Sequence, residues 1–146
     1  MHRLTLLILF TVLGLCSNAQ NNSENSFVSN PNTEHVVLFI PDESFGISQE
    51  LAVEVAKYNA KNHIDLKLDL KQYRIPFLSR KATILVRTFK SYSVANDYIK
   101  TIQKENPDFI RGQILEYTWV ISIDNFNTLI QSKDKDAYLA FLETLK

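Results

Sequence analysis

The residues able to do chemistry are few and dispersed in this chain of 146 residues. Ser91 and Ser93 lie where an alternating apolar stretch, Ala82 to Phe89, gives way to a helix-like pattern. That is where the nucleophile sits in G-x-S-x-G enzymes, but these serines are flanked by Lys90, Tyr92 and Val94, with no glycine to permit the strained turn. The hydroxyls therefore read as helix caps. A phosphate loop fails on the same ground, since only Gly46 and Gly112 lie beyond the N-terminal apolar run, and Lys90-Ser91 offers no more than a weak anion preference. His35 and His63 are each expected to open one of two parallel strands separated by a third, with backbones roughly 10 Å apart and the rings exposed to water, which does not make a metal site. Asp42 and Glu43 are neighbours in an extended loop, so their carboxylates point apart and are expected to be solvated rather than to work as an acid and base. No catalytic residue, metal or cofactor is expected, and the chain reads as not an enzyme.

The N-terminus bears on compartment. Met1-His2-Arg3 is a short positive head, Leu4 to Leu15 is almost wholly apolar, and Ser17 and Ala19 are small residues around a cleavage point, so residues 1–19 read as a secretory signal peptide. The apolar run is well short of the ~20 residues of a membrane-spanning helix. Cleavage after Ala19 removes Cys16, the only cysteine; the alternative is a lipoprotein with its lipid anchor at Cys16, against which stands Leu15 where such signals place Gly, Ala or Ser. In either case no disulfide forms within the chain, and the domain relies on an ordinary core. A periplasmic or secreted protein is expected, or in the alternative a lipoprotein at the envelope. Residues 20–34, rich in Asn and Ser, read as a disordered tether, and residues 35–146 as one domain. Sixteen Lys and Arg balance sixteen Asp and Glu, and losing Arg3 leaves a slight acidic excess. Nucleic-acid binding needs a basic excess or face, so that class of partner is excluded.

These residues are positioned by a regular series of elements. H-V-V-L-F-I (35–40) suits a central strand buried on both faces. A helix follows from Ser48, with Ile47, Leu51, Ala52, Val55, Ala56 and Tyr58 on its apolar stripe. H-I-D-L-K-L-D-L-K (63–71) alternates as a half-buried strand with Ile64, Leu66, Leu68 and Leu70 inward, and a connection holds Tyr73, Arg74, Pro76 and Phe77. The strand Ala82 to Phe89 precedes a helix showing Val94, Ala95, Tyr98, Ile99 and Ile102 on one face. Pro107 and Gly112 mark a loop before a fourth strand, Ile114 to Ile121, with Leu115, Tyr117, Trp119 and Ile121 on one side. Strand, helix, strand, strand, helix, strand is a ferredoxin-like split βαβ sandwich of the α+β class: a four-stranded antiparallel sheet with its first and third strands central. Its helices cover one face only. D-N-F-N-T-L-I and D-A-Y-L-A-F-L-E-T-L read as two extra C-terminal helices covering the other, the last with Tyr138, Phe141, Leu142 and Leu145 on a stripe and Asp134 or Asp136 as its cap. The third strand, A-T-I-L-V-R-T-F, lacks the Gly and alternating aromatics of RNA-recognition domains.

Three segments resemble a known family: V-A-K-Y-N-A-K-N-H (55–63) with the later L-K-L, I-L-V-R-T-F-K-S-Y-S-V-A-N-D-Y-I (84–99), and V-I-S-I-D-N-F-N-T-L-I-Q-S-K-D-K-D-A-Y-L-A-F-L-E (120–143). Together they resemble the C-terminal domain of large tetratricopeptide-repeat lipoproteins of Bacteroidota associated with gliding motility and type IX secretion. The resemblance spans about residues 35–146, although the family's long repeat array is here replaced by the signal-like segment and short tether. It implies an exported, non-enzymatic envelope domain that binds another cell-envelope protein, and it transfers no catalytic residue. The residues themselves point to Tyr73, Arg74 and Phe77, with Arg80 and Lys81 beside them, as the partner-binding patch, because desolvated aromatics and arginine dominate binding energy. The competing reading is that Tyr73 and Phe77 close the local end of the sheet. A second functional class is a peptidoglycan- or glycan-binding domain like the sporulation-related repeat, to which the split βαβ plan and the spacing of Phe89 and Ala95 are similar.

Overall fold

Seven consecutive buried residues, His35–Pro41, form β1, the strand on which both layers are built. The computed structural model describes residues 26–44 and 48–145, so the signal-like segment, Cys16 and the first part of the tether lie outside the described residues. The elements that follow are α1 (Ser48–Asn62), a 3-10 turn (Ile64–Leu66), β2 (Asp69–Arg74), β3 (Ala82–Phe89), α2 (Tyr92–Glu105), α3 (Asp108–Arg111), β4 (Leu115–Ser122), α4 (Ile123–Ser132) and α5 (Lys135–Glu143). The four strands pair antiparallel in the order β2-β3-β1-β4, which leaves β1 and β3 central. This is the ferredoxin-like split βαβ arrangement with extra C-terminal helices.

Because successive strand side chains alternate between faces, β1 feeds two cores. Val37 and Phe39 join Ile84 and Val86 of β3 beneath α1 (Leu51, Val55) and α2 (Ala95, Tyr98, Ile102). Val36, Leu38 and Ile40 join Leu85, Trp119 and Ile121 beneath Leu129 of α4 and Tyr138 of α5. The tail helices do cover the second face, and Tyr138 meets Trp119 edge-on with ring centroids 5.1 Å apart. Local signals start each of these helices. Ser91 accepts the Val94 N–H at 3.5 Å, Ser122 the Asn125 N–H at 3.2 Å and Asp134 the Ala137 N–H at 2.8 Å, each filling one of the donors a helix leaves open at its start. Asn106, in the left-handed region at φ 47°, closes α2 with its N–H on the Ile102 carbonyl at 2.8 Å. The bend at Ser91 is thus a capped crossover.

Several expectations are corrected. The expected strand over 63–71 begins only at Asp69 and runs on to Arg74, so Tyr73 and Arg74 pair with Thr83 and Ala82 instead of lying in a connection. The residues before it form the 3-10 turn, closed by Lys67 at φ 48°, and leave Ile64 at 72% exposure rather than inward. Along β4, Ile40 pairs with Tyr117 but Pro41 with Leu115, so Glu116 is an extra residue. That bulge turns Leu115 away from Tyr117 and into the core under α1 and α2. On α1, Ala56 is exposed and Asn59 takes a buried position one turn below Val55. The loop between Pro107 and Gly112 holds one helical turn, α3, whose Phe109 is buried.

The disordered reading fails for the described end of the tether, residues 26–34. Phe27 packs against Tyr138 with centroids 4.9 Å apart, and the Asn125 carboxamide both accepts from the Val28 N–H and donates to the Val28 carbonyl, each at 2.9 Å. Asn125 thereby offers the chain the same donor and acceptor that a neighbouring strand would, which a residue-by-residue count of apolar content does not register.

Leu129 is wholly buried, so Leu129→Ala is expected to lower the unfolding free energy by about 2–5 kcal/mol in urea denaturation, whereas Ser91→Ala, which removes one cap, is expected to lower it by about 1 kcal/mol.

Candidate functional site

The residues expected to bind a partner fall on and after β2. Tyr73, 42% exposed, and Arg74 end that strand, Phe77 packs partly against the core under α4 and α5, and Arg80 and Lys81 precede β3. The intervening turn is pinned from beneath. Ile75 and Leu78 are buried, Ser79 donates to the Pro41 carbonyl at 3.1 Å, and Glu43 accepts both the Arg80 N–H at 3.0 Å and its guanidinium at 3.2 Å. Asp42 meanwhile accepts the N–H and hydroxyl of Ser44, bonds that hold its carboxyl below the usual range. The adjacent carboxylates are therefore engaged by different groups, and Glu43 spends its two oxygens tethering the turn. Phe77 and Arg80 are thereby partly committed within the chain, and the freely presented members are Tyr73 and Arg74.

A second cluster gathers where α1 ends against α2. The His63 ring lies between Tyr58 and Tyr98, with centroids 5.5 and 4.9 Å away. Tyr98 donates to the Asn59 side chain at 2.7 Å, and Tyr58 to Glu105 at 2.5 Å. His63 Nε2 and Asn59 Nδ2 are enclosed without a hydrogen-bond partner. Desolvation pushes the Tyr58 and Tyr98 phenols up, Tyr58 helped by the Glu105 carboxylate it bonds, so both stay protonated donors. Desolvation also lowers the His63 pKa, partly opposed by Glu105. The expectation that both histidines are water-exposed at strand ends is thus overturned. His35 is 4% exposed and contacts the Thr33 carbonyl through Nδ1 at 2.7 Å, and His63 does not open a strand. Among the described residues no group of three or more His, Cys, Asp or Glu side chains could hold a metal ion, and no helix is long and apolar enough to cross a membrane.

The third feature, not anticipated from the sequence, is the outer edge of β4. Among the described residues β1 is its only strand partner, so alternate backbone N–H and C=O groups along eight residues face away from the sheet. A cleft of about 490 Å³ lies along that edge between Tyr92, Asn96 and Ile99 of α2 and Tyr138, Phe141 and Leu142 of α5, and residues 28–31 of the N-terminal segment line it beside Ser122. A second cleft of about 250 Å³ continues it toward Leu115, between Ile102 and Gln103 of α2 and Ile110 of α3. Among the described residues no Asp, Glu, Lys or Arg lines either, in a chain that is 22% charged. The opposite edge contrasts with it: β2 carries Asp69, Lys71 and Arg74, and Asp69 holds the Arg87 guanidinium at 3.2 Å and Lys71 at 3.7 Å. Charged side chains are what proteins place on an exposed edge to prevent further pairing. The signal was present in the sequence, since β2 has three charges in six residues and β4 one in eight, and that one, Glu116, is paired with Lys135 at 3.0 Å.

Comparison with protein-family models, with curated proteins and with solved structures finds no match to this chain.

The half-buried His63 imidazole gives a pH signature. Its proton affinity is lower folded than unfolded, so unfolding takes up a proton at acidic pH; its contribution to stability is complete above about pH 6.5 and is lost as pH falls below that value through the lowered folded pKa. Urea midpoints measured from pH 8 to pH 5 are expected to fall more steeply for the wild type than for His63→Gln.

Proposed function

We propose that the chain is an exported, non-enzymatic module of the cell envelope that binds another envelope protein by accepting an extended segment of it along β4. The single observation that carries the reading is the uncharged cleft on an unpaired strand edge. Main-chain pairing at such an edge supplies affinity with little demand on sequence, and the cleft walls select side chains. Export is supported by the positive head, apolar run and small residues of positions 1–19. A link to secretion or gliding machinery rests on the resemblance of residues 55–63, 84–99 and 120–143 to the Bacteroidota lipoprotein domain. Partner binding by Tyr73 and Arg74 is the second position for the same function, supported by their exposure at the end of β2.

The glycan-binding reading competes with this one, and one set of measurements separates all three. Envelope extract is passed over the wild type, over Asn96→Lys, which puts a charge into the β4 cleft, and over Arg74→Ala/Phe77→Ala. Retention of a protein by the wild type and the double variant, with at least a tenfold loss for Asn96→Lys, is the expected result. Loss on the double variant alone moves the site to the β2–β3 turn. Co-sedimentation of the purified chain with peptidoglycan sacculi, unaffected by Asn96→Lys, replaces the protein partner by a glycan.

A further inference from the structure

The two walls of the β4 cleft differ in chemistry, and the difference specifies the occupant. A strand added to β4 lies about 4.8 Å from it and turns its side chains alternately to the two faces of the sheet. On one face it meets α5, where Tyr138, Phe141, Leu142 and Leu145 line the cleft, and Leu145 is 51% exposed, leaving apolar surface uncovered. On the other it meets α2, where half-buried Asn96 and exposed Gln103 stand beside Ile99 and Ile102 with carboxamides that have no hydrogen-bond partner among the described residues. A buried charge with no counter-charge is strongly disfavoured, and no described residue lining either cleft offers one.

Resting on the strand-addition reading above, we infer that the occupant is an uncharged extended segment with bulky apolar residues at every second position, turned toward α5, and Ser, Thr, Asn or Gln between them, turned toward Asn96 and Gln103. A segment buried on both faces must satisfy both walls at once: hydrocarbon fills the α5 side, and a hydroxyl or amide on the α2 side gives the two carboxamides partners. Charged segments are rejected by desolvation, and a uniformly apolar segment strips water from the α2 carboxamides without giving them partners. Residues 28–31 line the Ser122 end of the cleft, so the segment matches at most the eight residues of β4, roughly 26 Å of extended chain.

The test uses phage-displayed random dodecapeptides selected on the purified chain, with binding sites mapped from amide chemical shifts of the ¹⁵N-labelled protein. The expected result is peptides with alternating apolar and uncharged polar residues that shift amides of Leu115–Ser122. Methylating the amide nitrogens of alternate peptide residues is expected to reduce affinity at least tenfold in one set and leave it unchanged in the other, because only one set faces β4. Asn96→Ala, which removes no bond within the chain, is expected to weaken these peptides severalfold and to narrow their advantage over variants with apolar residues throughout. Charged or proline-rich peptides, shifts confined to the β2–β3 turn, equal sensitivity to both methylated sets, or a β4 edge already occupied by a second copy in sedimentation overturns the inference. If peptides fail while an envelope protein is still retained in a manner sensitive to Asn96→Lys, the occupant class is wrong and the proposed function stands; if both fail, so does the site.

Discussion

Burial of β1 on both faces is the constraint from which the architecture follows. A strand whose seven residues are all buried obliges the sheet to be covered twice, yet the split βαβ plan provides helices for one side only. The chain resolves this by turning directly from β4 into α4: Ser122 is both the last residue of the strand and the cap of the helix. No loop intervenes, so the direction in which α4 leaves the sheet is set by the strand itself. α5 then places Tyr138 on Trp119, and Phe27 comes in from the N-terminal side to close the same cluster. The second core is therefore assembled from segments at opposite ends of the chain.

Covering both faces moves the question of association from the faces to the edges. At β2 the edge is defended by the Asp69, Lys71 and Arg87 charges, and the following turn is tied down by Glu43. At β4, side chains of α2 and α5 line a cleft beside the strand, together with residues 28–31. The same two helices that complete the sandwich thus help to form a long uncharged recess beside the sheet, and side chains that pack the core also line it. Tyr138 and Ile99 belong to the core on one side and to the cleft on the other.

Strand and helix types, their order, the central place of β1 and β3, and the cover of the second face were legible because each rests on periodicity over many residues. What escaped was set by single residues acting across the fold. The alternation of 63–71 is a sound strand pattern, but the His63 ring is packed between Tyr58 and Tyr98, and the first part of the segment turns there instead of extending. One extra residue, Glu116, reversed the side on which Leu115 lies. The docking of residues 27 and 28 depended on the Asn125 carboxamide, 97 positions from Val28 and invisible to any local window. The β4 cleft was missed for a different reason. Exposed aromatics and arginines mark a binding surface in sequence, whereas the cleft is marked by a lack of charge, which becomes meaningful only when a strand is known to lie at an edge.

The Asn125 carboxamide has a mechanical consequence. It clasps the backbone of Val28 with a donor and an acceptor while its own N–H is held by Ser122, at the end of the open strand. Any tension applied upstream of Ser26 is delivered through this clasp to the junction of β4 and α4, beside Val28 and Ser122 in the lining of the cleft. Two hydrogen bonds loaded in parallel resist such a pull together. A pull on the chain at Ser26 therefore loads atoms that also line the cleft.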